Sequence, residues 1–202
     1  MDDTLHDVTS VPQKNTRSMN PFGTPDSLIL NPASLSMRRG QRPGTIRGPL
    51  HVQFGDNADD SVLRQLLHEV ITWPDIEARP LPVGSAHLLS LDLAEEVATD
   101  DPDSFIAGRE FGRVLFGAPT IYLSLPLSYA HWAIVRGWAE PHFYGGFGLM
   151  PPGVMVIYIP RDENELSVCR SLFWVSYRFS FHETRRNSDQ SRASEVDVHM
   201  AA

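Results

Sequence analysis

The chain is poor in the residues that carry several common chemistries. Cys169 is its single cysteine, so an intrachain disulfide and a thiolate metal cage are both excluded, and a reducing, cytoplasmic compartment fits best. Cations are outnumbered: 17 Lys and Arg stand against 25 Asp and Glu, a formal charge of −8, which leaves little to neutralise phosphates and argues against a nucleic-acid partner. No uncharged apolar run approaches the roughly 20 residues needed to cross a bilayer, since the Tyr122–Val135 region is broken by Pro126, Ser128 and His131. The first 39 residues lack the basic start and apolar run of a signal peptide. No Gly-x-Ser-x-Gly elbow is present, and Cys169 falls on the apolar face of an expected helix, where a thiolate is disfavoured; covalent hydrolase chemistry is therefore not expected. His87, His131 and His142 have no metal-ligand spacing, so no metal is expected.

Within 202 residues, 42% of them apolar, there is room for one domain with tails. Residues 1–48 are rich in Pro, Ser, Asn, Thr and Gly without a helical or strand period and read as a solvated arm; 183–202 read as a polar tail; 49–182 is the domain. The basic run Met37–Arg42 in the arm is either a targeting or anion-contact patch or an ordinary tail feature.

Inside the domain, Asp59 or Asp60 caps a helix whose stripe is Val62, Leu63, Leu66, Leu67, Val70 and Ile71, ending at Trp73-Pro74. Ala86–Leu93 is a short, partly alternating strand, and Glu110–Phe116 and Thr120–Leu125 form a hairpin across Gly117-Ala118-Pro119. Leu127, Ala130, His131, Ile134, Val135 and Trp138 predict one apolar face of a helix opening at Pro126. Val154–Ile159 is an inner strand, and Asp162 with Glu165 forms a capping box for a helix carrying Leu166, Cys169, Phe173 and Tyr177. The order α-β-β-β-α-β-α predicts an α+β fold, a mainly antiparallel sheet with helices on one face. Gly145-Gly146-Phe147-Gly148 lies between helix and strand, the wrong context for a phosphate loop.

Several groups can carry chemistry. His142 follows a helix in a loop rich in rings. By strand parity Arg109, Phe111 and Arg113 share one face, with Glu110 and Arg113 on opposite faces; the two cations suit an enolate or carboxylate, or simply form a solvated edge. Tyr122 and Ser124 share a face of the next strand, either as pocket hydrogen-bond donors or as its outward polar side. Trp132, Trp138, Phe143, Tyr144 and Phe147 either line a cavity for a conjugated small molecule or pack the core.

Four blocks, in order, resemble the luciferase domain family, which includes fungal luciferase: Arg109-Glu110-Phe111-Gly112, Ile121–Leu125, Gly137-Trp138-Ala139-Glu140-Pro141-His142 and Tyr158-Ile159-Pro160-Arg161-Asp162-Glu163. Leu67–Arg79 resembles the family's helix and its exit. Where the family commonly has a His-x-His pair and a His or Asp on the next strand, this chain has Arg113, Leu115 and Tyr122, retaining His142. The resemblance implies chemistry on an electron-rich lipophilic substrate without flavin or metal, with molecular oxygen as a candidate co-substrate; the changed positions argue against light emission. The resulting expectation is a cofactor-independent enzyme of specialised metabolism performing oxygenation, cyclisation or isomerisation. His142, Arg113 and Tyr122 are its catalytic candidates, and Arg109, Phe111, Ser124, Trp138, Phe143 and Tyr144 its substrate contacts. The alternative is a non-catalytic binding or accessory protein working with other pathway enzymes.

Overall fold

The computed structural model describes residues 31–55, 60–83, 86–117 and 120–181. The expected tail from 183, residues 1–30 of the expected arm, Asp59 and the Ala118-Pro119 part of the hairpin connection lie outside the described residues. The elements are β1 (Gly44–Ile46), β2 (Val52–Phe54), α1 (Asp60–Val70), β3 (Ile76–Val83), β4 (Ala86–Leu93), β5 (Glu110–Phe116), β6 (Thr120–Ser124), α2 (Leu127–Val135), β7 (Ala139–Pro141), β8 (Val154–Ile157) and α3 (Glu163–Phe179). All strand pairings are antiparallel. The main sheet runs β3-β4-β5-β6-β8-β7, and β1-β2 form a separate hairpin. The fold is α+β, and each of the seven expected elements is present.

The helices lie on one face. Leu63, Leu66 and Val70 of α1, Ala130 and Ala133 of α2, and Leu166, Cys169, Leu172 and Phe173 of α3 join Leu91, Phe111, Val114, Ile121, Leu123, Met155 and Ile157 of the sheet in one core. A smaller cluster covers the other face: Leu88, Leu115, Tyr122, Val154 and Val156 meet Ile106, Val52 and Met150. The strands are buried from both sides, so β6 is buried at every position and its sequence hides the alternation.

Several expectations are corrected. Residues 31–48, which composition alone assigns to a solvated arm, pack on the domain: Arg38 is buried, with Glu165 at 3.2 Å, and β1 pairs with β2. The α2 stripe is displaced, for Leu127 and Val135 are 62% and 46% exposed while the small Ala130 and Ala133 face the core. On α3 half of the expected box forms: the Asp162 side chain accepts from the Glu165 N–H at 2.9 Å, while Glu165 reaches one residue beyond the cap and accepts from the Arg161 N–H at 3.0 Å.

Candidate functional site

The face opposite the helices carries a polar band that begins with a kink in β5. Leu91 pairs with Gly112 and Asp92 with Glu110, so Phe111 is left without a partner in the β4–β5 register. This bulge turns Phe111 and Gly112 both toward the helices, where Phe111 meets the Tyr177 ring and a Cβ on Gly112 would touch Leu123. The displaced Phe111 carbonyl lies 2.8 Å from the Ser176 hydroxyl of α3. Parity beyond the kink is reversed, which corrects the expected face sets: Glu110 and Arg113 lie together and apart from Phe111. The Arg113 Nε donates to Glu110 Oε1 at 2.7 Å and its terminal nitrogen to Oε2, a bidentate pair. Hydrogen bonding to Glu110 raises the Arg113 pKa against the effect of its burial.

Across the next register step Arg113 stands beside Tyr122, and Tyr122 beside Val156, which pairs with Glu140 of β7. Tyr122 donates to the Leu50 carbonyl, and burial pushes its phenol up to about 12 despite the Arg113 cation. His142, 3% exposed, follows β7 and packs edge-on against the Tyr122 ring, with centroids 5.3 Å apart. Its Nδ1 accepts the Tyr144 N–H at 3.2 Å, so in the neutral ring the proton sits on Nε2, which has no hydrogen-bond partner among the described residues. Burial, with His51 and Arg113 nearby, lowers the His142 pKa to about 4. At neutral pH this histidine therefore offers an N–H donor.

Sequence reasoning missed a second histidine, contributed by the segment entering β2. His51 is 1% exposed and adopts φ of 37°, a left-handed conformation that is costly for a side chain bearing Cβ. Both ring nitrogens explain the strain. Nδ1 accepts the Phe143 N–H at 3.0 Å, and Nε2 lies 2.7 Å from Glu140 Oε1. Burial would raise the Glu140 pKa, but hydrogen bonds from His51 and Thr45, with Arg47 close by, hold it near 2. His51 thus grips the chain on both sides of His142. With the Leu50 carbonyl on Tyr122 and Val52 in the apolar cluster, residues 50–52 form a strap over the site. Glu140 was visible within the Gly137–His142 block; His51 carried no signal beyond its residue type.

Of the expected substrate contacts, Tyr144 and Phe143 stay at the site. The Tyr144 and His142 ring centroids are 5.8 Å apart, and Phe143 supplies the amide bound by His51. Ser124 is on the same face but is fully buried and donates to the Asp103 carbonyl at 2.9 Å. Arg109 does not join: it binds the Leu93 carbonyl and stands 3.7 Å from Glu77. Trp138 packs in the helix-side core with its Nε1 on the Ser36 carbonyl, and Phe111 lies in that same core.

Two structurally separate observations, the His142 loop and the bulged β5, fall inside one matched segment. Residues 108–176 match the family model described as the Luciferase domain. No curated protein and no solved structure matches the chain. The matched segment runs from just before β5 into α3 and contains Glu110, Arg113, Tyr122, Glu140 and His142. His51 and the rest of the strap lie outside it. Among the described residues no helix is long and apolar enough to cross a membrane.

Proposed function

We propose that the chain is a cofactor-independent enzyme acting on a lipophilic small molecule in specialised metabolism, with His142 as its central hydrogen-bond donor. The reading rests chiefly on one observation: a buried imidazole whose Nε2–H is unpartnered among the described residues, next to the Tyr122 ring and the half-buried Arg113. A neutral histidine stabilises a developing enolate by donating a hydrogen bond, and a low dielectric strengthens that bond. Arg113, held by Glu110, adds positive potential without giving up a proton. A substrate that carries its own reactivity then undergoes oxygenation, cyclisation or isomerisation, with molecular oxygen as co-substrate only in the first case. The strap contacts Tyr122 and Glu140 and so narrows the approach to His142. The lone, buried Cys169, its thiol pushed up to about 12 by burial, suits a reducing cytoplasm.

The alternative, a non-catalytic binding or accessory protein of such a pathway, draws on a different observation. Tyr122, Glu110 and His51 all spend their polar atoms on internal partners. The two readings separate on incubation of the full chain, with and without oxygen, with metabolites accumulated by a strain lacking its gene. New product supports the enzyme, and its oxygen dependence selects oxygenation over cyclisation or isomerisation. An unchanged metabolite profile under both conditions supports the accessory role.

A further inference from the structure

Against the β1–β2 hairpin lies a surface cavity of about 430 Å³ whose lining includes Arg42, Gly44, Phe54, Gly55 and Arg161 but not His142. Its construction is specific in three respects. The Phe54 ring is 53% exposed and lies over Gly44, where any Cβ would collide with it. It therefore presents a broad apolar wall to solvent. Arg42 uses one terminal nitrogen to donate to the Ile134 carbonyl at 2.5 Å, and its remaining N–H donors have no partner among the described residues. Arg161 is held in place by Glu165 and the Arg39 carbonyl, and Glu165 is shared with Arg38, so one carboxylate faces two guanidiniums. No acidic side chain lines the cavity, although the chain as a whole carries −8.

A flat ring beside a guanidinium with unspent donors matches a ligand that is flat and anionic at one end. We propose that this cavity binds a small planar aromatic carboxylate, with its ring on Phe54 and its carboxylate on Arg42 in the positive field of Arg161. The basic run Met37–Arg42 thereby divides its work: Arg38 anchors the segment inside the domain, and Arg42 meets the ligand. This site is independent of the reading given for His142.

The test is titration of the full chain with 2-naphthoate, followed by calorimetry, beside the neutral isostere 2-naphthylmethanol and the variants Arg42→Ala and Phe54→Ala. Expected are saturable naphthoate binding in about the millimolar range or tighter, and at least about fivefold weakening in each variant and for the alcohol. Both substituted side chains are exposed, so folded variants are expected, and the alcohol arm needs no variant. The proposal is overturned if naphthoate does not saturate, if the alcohol binds equally well, or if both variants bind naphthoate like the native chain.

Discussion

The burial of His142 has a measurable cost in acid. Its pKa lies near 4 in the fold against 6.5 for the free side chain. Because the folded value is depressed, the unfolded chain takes up the proton first as pH falls. Stability is thus complete above 6.5 and is lost down to about 4. One proton corresponds to about 1.4 kcal/mol per pH unit, so His142 alone removes about 2 kcal/mol between pH 7.5 and 5, and about 3 kcal/mol by pH 4. Glu140 does not confuse this window, because its pKa falls from 4.5 to about 2 and its stabilisation is lost only below pH 4.5. In His142→Asn the amide oxygen takes the place of Nδ1 toward the Tyr144 N–H and nothing titrates. Urea unfolding of both proteins from pH 7.5 to 5 should show their stability difference changing by about 2 kcal/mol in favour of the variant at the acid end. Parallel pH dependence of the two proteins would refute the argument that the imidazole is buried and neutral.

Other consequences follow from particular contacts. Glu110→Gln leaves Arg113 facing a neutral amide in a half-buried place; a loss of about 2–3 kcal/mol is expected by urea unfolding, and a change below 0.5 kcal/mol would argue that the pair is solvated. A Cβ on Gly153 would overlap the Leu125 carbonyl oxygen, a backbone atom with little room to retreat, so Gly153→Ala should cost about 2–4 kcal/mol, read from its thermal midpoint. His51→Ala releases the grip on Glu140 and the Phe143 amide; acylation of His142 by diethyl pyrocarbonate, followed by mass spectrometry, should accelerate at least about tenfold as the strap opens more often. An unchanged rate would mean that the strap is not held by His51.

Much of the architecture was written in local pattern. The α1 stripe, the capping box at Asp162 and the Gly117 break each follow from the residues within one turn. What escaped depended on neighbours distant in sequence. β3 was hidden by Pro80 and Pro82, yet these share a parity on a strand at the sheet's edge, where nitrogens lacking hydrogen can face away from β4. In α2, His131, Leu127 and Val135 gave a helical period, yet the helix turns Ala130 and Ala133 inward, with Tyr129 and Ile134 packed beside them. The site suffered most from the β5 bulge. Strict alternation separates Glu110 from Arg113, and only the charge pair three residues apart, with glycine between, hinted that the strand is kinked. His51 was illegible for a related reason: its meaning lies in Glu140 and Phe143, about ninety residues away along the chain.

The central claim, that His142 under the strap donates to the reacting substrate, is tested most directly by turnover of the accumulated metabolites by His142→Asn beside the native chain, with the fold of each checked by near-ultraviolet circular dichroism. The account predicts at least about a hundredfold loss of product formation in a folded variant. Undiminished turnover by His142→Asn would contradict it.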